Sequence, residues 1–182
     1  MNPCRSLLSV CVSILLLLAW VAPVAAIGRD GMLDPSFGTQ GKVLHAFPGS
    51  LYLSLNGSVD VAVLPSGQVL VSSTVINSNG NNDFGVIRLN AGGSLDTSFG
   101  VSGGRLVGFD RAGSSLNDTA SGMVVQPNGR IVISGWAAGD STTGSDIALV
   151  RLTAAGNLDN TFGTVGRVLV PFNLGGVGHR DE

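Results

Sequence analysis

Short apolar runs alternate along most of this chain with stretches rich in Gly, Pro, Asn and Asp. Runs of this kind, rich in β-branched residues and bounded by turn-forming ones, predict β-strands. Pro65-Ser66-Gly67 and Pro127-Asn128-Gly129 each separate two such runs and predict hairpin turns. The pattern therefore predicts an all-β protein with strands at residues 42–47, 59–64, 68–75, 83–89, 105–109, 120–126, 130–136, 146–152 and 167–172.

A short motif of the form Leu-Asp-x-Ser/Thr-Phe-Gly, called here the Phe-Gly motif, occurs three times, at residues 33–38, 95–100 and 158–163. Regular recurrence over so long a period indicates a repeat architecture. Asp, Ser and Thr side chains favour tight turns because they bond to nearby backbone N–H groups, and Gly permits positive φ. We therefore interpret the motif as a connection between strands, anchored in the core by Leu and Phe, rather than as a set of catalytic carboxylates.

The repeat divides the chain into units at about residues 33–94 and 95–157, a partial third unit at 158–172 and a tail at 173–182. In the strands around residues 69–71 and 131–133, both alternating faces are apolar. A sandwich strand shows one face to water, whereas a propeller blade is covered on both faces by its neighbours. The predicted fold is β-propeller-like, with two four-stranded blade units plus one extra strand.

The first 26 residues read as a signal peptide that precedes the repeat domain at residues 27–182. They contain one basic residue, Arg5, an apolar run at residues 7–21, and small residues before the expected cleavage after Ala26. The run is shorter than the ~20 residues that span a bilayer, so no stable membrane anchor is expected. We expect an exported protein, periplasmic or extracellular, without disulfides because Cys4 and Cys11 leave with the leader.

The formal net charge is −2 and the charges are scattered, with no basic stripe. This distribution argues against nucleic acid and anionic membrane surfaces as partners.

Three features resemble the bacterial delta-60 repeat family. They are the extended motif Leu-Asp-x-Ser-Phe-Gly-x-x-Gly, the Pro-x-Gly hairpin, and the Asp-x-x-x-x-Arg-Leu strand at residues 83–89 and 146–152. The resemblance runs from Leu33 to about Phe172 and implies a β-propeller-like fold, but no activity, ligand or cofactor. The departures are Ser66 and Asn128 where the family's turn usually has Asp, and Ser73 where Gly is usual.

Two units are too few to close a propeller ring, which usually needs four or more blades. An open stack would leave apolar sheet faces exposed. We expect self-association that completes a propeller, with residues 167–172 adding a strand to a partner's blade. The alternatives are a truncated fragment and a compact β structure that is not a propeller.

Several segments resemble functional sites without meeting their requirements. Residues 100–104 match Gly-x-Ser-x-Gly around Ser102, but a nucleophile elbow needs a strand before it and a helix after it. His45 and His179 lack further ligands at metal-site spacing. Residues 77–83 contain a single carboxylate, whereas calcium usually takes several. The sequence therefore assigns no catalytic, metal-binding or cofactor-binding residue, and no cofactor.

Arg88 and Arg151 lie near the ends of otherwise apolar strands, so each is expected to need a carboxylate partner. We predict pairs with Asp96 and Asp159, which would tie strand to motif. Asn56 and Asn117 begin formal glycosylation sequons that matter only in a eukaryotic secretory pathway. The aromatic residues Trp136 and Tyr52 are too few for a sugar-binding strip.

The sequence favours a non-enzymatic exported module that acts as a scaffold or as a binding surface for protein or glycan. One alternative is a hydrolase or lyase acting on a polysaccharide or lactone in a propeller cleft, which needs clustered carboxylates or histidines. Another is a fragment without independent function.

Overall fold

The structure, a computed structural model, describes residues 31–53, 57–110, 116–139 and 144–171, with only the backbone for residues 51–53. The predicted leader, Asn56, Tyr52's side chain, His179 and the tail lie outside the described residues. None of the described residues belongs to a helix long and apolar enough to cross a membrane.

Nine β-strands and no helix are found in the described part of the chain, which confirms the all-β prediction. The first sheet contains β1 (Ser50–Leu53), β2 (Asp60–Val63), β3 (Val69–Asn77), β4 (Asn82–Leu89) and β5 (Gly104–Val107). The second sheet contains β6 (Asp118–Val125), β7 (Ile131–Ala138), β8 (Ser145–Leu152) and β9 (Arg167–Val170).

Both sheets are antiparallel meanders four strands wide. In the first sheet β1 and β2 lie along the same edge of β3, since β2 pairs with residues 69–72 and β1 with residues 75–77. In the second sheet β6 alone covers the corresponding edge of β7, with a bulge between Ala120 and Gly122. The two four-stranded sheets are those of the predicted propeller-like fold.

The sheet boundaries are offset from the sequence repeat. The motif copy at residues 95–100 connects β4 to β5, and the copy at residues 158–163 connects β8 to β9. The strand that follows each of these two copies therefore pairs with the strand that precedes the copy. Arg167–Val170, expected as a surplus strand for a partner's blade, is instead the fourth strand of the second sheet.

The predicted strand at residues 42–47 is wrong. Residues 43–47 form no strand, and Lys42 makes only an isolated bridge with Thr39. In the later repeats the equivalent strand pairs with a strand that precedes the motif. Within the described residues no strand precedes the copy at residues 33–38, so residues 43–47 have no ladder partner.

Each motif leads into the same tight turn. The bridges Thr39–Lys42, Val101–Gly104 and Thr164–Arg167 each enclose two residues. Both enclosed residues have positive φ, with values of 54°, 53° and 52° at the first position and 80°, 100° and 81° at the glycine that follows. Positive φ at both central residues is what a type I′ hairpin turn requires. The first position is Gln40, Ser102 and Val165 in the three copies.

A network of charged hydrogen bonds fixes the motif to the strands. Asp159 Oδ1 accepts bonds from the backbone N–H and hydroxyl of Thr161, at 3.1 and 2.7 Å. Its Oδ2 accepts from Nε of Arg151 and lies 2.8 Å from Nε of Arg130. The Arg151 guanidinium also lies over the Phe162 ring, 4.5 Å from its centroid. The Thr161 hydroxyl foremost, together with Arg151, lowers the pKa of Asp159 to about 2.

The preceding repeat has the same network, which confirms both predicted Arg–Asp pairs. Asp96 accepts from the Ser98 hydroxyl at 2.6 Å and from Arg88 Nε at 2.8 Å. Gln68 replaces the second arginine and donates to Asp96 at 2.7 Å. Arg88 lies over the Phe99 ring at 4.7 Å.

Replacing Arg151 by alanine should lower thermal stability. The change leaves buried Asp159 without one of its two arginines and removes the cation–π contact. Since each kcal/mol corresponds to about 2–4 °C in a domain of this size, we expect the midpoint to fall by several degrees. Circular dichroism melts measure this change. Arg151→Lys keeps only the charge, so its melting midpoint should lie between those of the native protein and Arg151→Ala. An unchanged midpoint for Arg151→Ala would contradict the structural role of the pair.

Replacing Val165 by asparagine should raise stability. Val165 is β-branched yet holds a φ of 52°, a conformation that costs such residues about 1–2 kcal/mol. Its side chain is mostly exposed, so little packing is lost. We expect a midpoint a few degrees higher, measured by thermal melting. Val101→Asn is the matched control, because Val101 is equally exposed in the equivalent hairpin but outside the positive-φ positions; an equal gain there would refute the strain argument.

Candidate binding surface

The two sheets pack face to face around one core. The first sheet contributes Leu70 and Thr74 from β3 and Phe84 and Val86 from β4, all fully buried. Phe84 also makes an edge contact with Phe109, with ring centroids 5.4 Å apart. The second sheet contributes one face of its three longest strands to the same core. This face is formed by Ala120, Ile131, Ile133, Ala137, Ala148, Val150 and Leu152.

Polar contacts fix the register of this sheet–sheet interface. The Ala120 N–H donates to the Thr74 hydroxyl at 2.9 Å, and the Met123 N–H donates to Asp60 Oδ2 at 2.7 Å. These groups lie in an otherwise apolar interface, where an unpaired N–H would be costly. The interface is therefore specific in position as well as apolar.

The second motif copy contacts the second sheet's unit at the loop that follows β8. Gly100 N–H donates to the Ala155 carbonyl, and Arg88 Nη1 donates to the Ala154 carbonyl, both at 2.8 Å. A Cβ on Gly156 would lie 2.8 Å from Gly100 N and from the Phe99 ring, so only glycine permits this approach. The second motif thus docks on the loop that precedes the third motif.

The opposite face of the second sheet has no such cover among the described residues. We call it the outer face, and its apolar residues are Val124, Val132, Trp136, Ile147, Leu149, Val168 and Val170. Val124 is 56% exposed, Ile147 44% and Trp136 39%. By repeat alignment Trp136 corresponds to Thr74 and Ile147 to Phe84, both 0% exposed. The outer face is therefore the positional equivalent of the face that the first sheet buries against the second.

The third motif copy, like the outer face, lacks a contact that its equivalents make. Gly38 N–H donates to the Gly92 carbonyl at 2.9 Å, as Gly100 donates to Ala155. Gly163, the equivalent residue, is exposed, and its N–H finds no acceptor in the described part of the chain. The outer face and this N–H are thus the positional equivalents of groups that the first sheet and the second motif use to contact the second sheet.

The other end of the stack is half covered. Phe37, Val43 and Phe47 pack on the free face of the first sheet, against Val75, Ile87 and Leu89. The β2 side of that face stays open, with Val61 55% and Val63 70% exposed. Among the described residues, residues 33–47 therefore cover the β4–β5 side of the sheet and leave the β2 side exposed.

A cluster of carboxylates lies at the upper edge of the sheets. Asp118 is buried and its Oδ2 accepts the Phe109 N–H at 2.6 Å. Burial foremost, with the charges of Asp83 and Asp110, raises the pKa of Asp118 to about 7. Burial also raises the pKa of Asp83, which accepts a bond from Asn77 at 2.9 Å.

Beside this cluster lies a cleft of about 590 Å³ between the ends of β5 and β9, and both Asp110 and Arg167 line it. Arg167 Nε donates to the Gly108 carbonyl at 3.0 Å across the sheet junction. Among the described residues, no three His, Cys, Asp or Glu side chains are grouped so that they could hold a metal ion. The geometry gives Asp118 a structural role, since its carboxylate holds the end of β5.

The segments that resemble functional sites take part in local structure. Ser102 occupies the first central position of its type I′ turn and is followed by β5, not by a helix. His45 Nε2 lies 3.2 Å from the Gly93 carbonyl. Asn77 Oδ1 accepts from the N–H groups of Asn79 and Asn81, which closes the loop on itself. Asn117 Oδ1 accepts the Asn82 N–H, and Trp136 lies on the outer face.

Two features were not predicted from the sequence. The first is the second partner of each motif carboxylate, which is Gln68 or Arg130. Both residues directly follow a Pro-x-Gly turn, and this shared position is the sequence signal that could have revealed them. The outer face could have been found by aligning the repeats once the buried face of one sheet was known.

Two segments of the chain, residues 64–99 and 126–162, match a family described as a domain of unknown function (DUF5122) beta-propeller. Each match runs from the hairpin turn through two strands into a Phe-Gly motif. No curated protein matches the chain. The chain thus carries a beta-propeller repeat domain of unknown function, in agreement with the two stacked sheets.

Replacing Asp118 by asparagine should flatten the pH dependence of stability. With a folded pKa near 7 and an unfolded value near 3.8, the folded state holds a proton that the unfolded state has released between these values. Stability from this group therefore falls as the pH rises from about 4 to 7. Asparagine keeps the acceptor for Phe109 N–H without titrating, so its melting midpoint should exceed the native one at pH 8 and decline less across this window.

Asp110→Asn gives a graded comparison, because it removes one charge that raises the pKa of Asp118 and should flatten the profile less. Identical pH profiles for the native protein and Asp118→Asn would show that Asp118 does not titrate in this range.

Proposed function

We propose that this protein is an exported, non-enzymatic binding module that presents the outer face of its second sheet to another protein. The observation that carries the proposal is the positional equivalence of this face to the face that the first sheet buries. A surface built by the same repeat, with the same apolar positions, supports the same kind of contact.

The chemistry of the outer face favours protein over glycan. Trp136 is its one aromatic side chain, and its other six apolar residues are Val, Ile and Leu. Contiguous exposed apolar patches of this kind mark protein interfaces. Burying a Val, Leu or Ile side chain contributes roughly 1.5–3 kcal/mol. Several together can offset the roughly 4–15 kcal/mol that association costs.

The hydrogen bonds of the buried carboxylates favour a scaffold role over catalysis. Asp96 and Asp159 are occupied by arginines and by the Ser or Thr of their own motif. Asp118 is buried beneath the Phe109 N–H. Export rests on the leader-like first 26 residues, and the likeness of the motif to delta-60 repeats is consistent with a bacterial exported protein.

A photo-crosslinking residue tests the proposed surface in cells. With benzoylphenylalanine in place of Ile147, illumination should produce a covalent adduct with a protein, identified by mass spectrometry. Val101, 62% exposed in a motif turn and away from the outer face, is the matched control position. The proposal fails if position 147 gives no protein adduct, or if both positions give the same adducts.

A further inference from the structure

We propose that the partner of the outer face is a second copy of this chain, bound head to tail. In this arrangement the outer face of one copy packs on the β2 side of the first sheet of the next. The third motif of the first copy replaces residues 33–38 of the next copy on its docking loop. The inference rests on the proposed function and names the partner of the same surface.

The two ends of the stack carry the two halves of one interface. The outer face corresponds to the first sheet's half of the internal interface, as Ile147 corresponds to Phe84. The free face of the first sheet corresponds to the second sheet's half: Val61 and Val63 match Met123 and Val125, which pack against the shared core. A contact between unlike patches is heterologous and builds rings or open chains of copies.

Motif docking supplies the polar part of the same contact. Gly163 N–H has no acceptor among the described residues, and the loop at residues 91–93 accepts a motif glycine through the Gly92 carbonyl. In the head-to-tail arrangement Gly163 N–H bonds to Gly92 of the next copy, as Gly100 N–H bonds to Ala155 within the chain. The internal interface thus sets the register for the contact between copies.

The loop at residues 91–93 is already occupied by the first motif, which must leave. That motif is held more weakly than its equivalents. Asp34 is exposed and bonds only to Ser36, with no arginine partner in the described residues. Leu33 is 58% exposed, and residues 43–47 form no strand.

The third motif has a completed network before it docks. Asp159 is held by Arg151, Arg130 and Thr161, and Phe162 lies beneath Arg151. Because its conformation is fixed in advance, less ordering is lost on binding. Exchange of the first motif for the third motif of another copy therefore follows from the difference between the two networks.

The test combines two point variants of the exported protein. Ile147→Asp places a charge on the outer face, and Val61→Asp places one on the β2 side of the first sheet. Both side chains are exposed, so folding should survive, and circular dichroism melts check this. Val124→Asp is the second outer-face variant if Ile147→Asp does not fold.

Light scattering on a sizing column should show that the native protein associates as its concentration rises. Each variant alone should be monomeric, and Val101→Asp should behave as native. An equimolar mixture of Ile147→Asp and Val61→Asp should give particles of twice the monomer mass and nothing larger, because one intact interface remains per pair.

Other outcomes overturn the inference. A native protein that stays monomeric at every concentration removes the second copy as partner. Loss of association in Ile147→Asp but not in Val61→Asp shows that copies meet face to face instead. If the crosslink at position 147 captures a different protein, the binding function stands and this partner is wrong; if it captures none, both proposals fail.

Discussion

The carboxylate of the Phe-Gly motif is the constraint on which the rest of the structure depends. Asp96 and Asp159 each join a turn to the ends of two strands, through their own Ser or Thr and through Arg88 or Arg151. The same arginines lie over the motif phenylalanines, so charge pairing and apolar packing act at one point. This network of contacts stabilises the tight hairpin turn that leads into the fourth strand of each sheet.

Because this network connects strands within a sheet, the fourth strand of each blade comes from the repeat that follows. The motif also docks on the loop before the next motif, as Gly100 does on Ala155. Pairing within a sheet and stacking between sheets are therefore built by one sequence element. Within the described residues no further sheet packs on the second sheet, and the outer face around Ile147 is therefore exposed.

In our proposal, function follows from the uncovered outer face rather than from a chemical centre. The buried carboxylate of Asp118, with a pKa near 7, holds Phe109 and tunes stability with pH. The apolar positions around Trp136 and Ile147 are the ones that carry recognition in our proposal. In our proposal, self-association uses the geometry already present between the two sheets.

The sequence by itself determined the repeat, the all-β class and most strand positions, because turn-forming residues and apolar periodicity are local signals. It also determined the Arg88–Asp96 and Arg151–Asp159 pairs, since a buried charge requires a partner. Only the tertiary structure decided that residues 43–47 form no strand, because a strand needs a pairing neighbour, which in the later repeats comes from the preceding repeat. It alone decided which apolar face is buried and which is bare. A strand with two apolar faces, such as residues 131–133, carries no local signal of what covers either one.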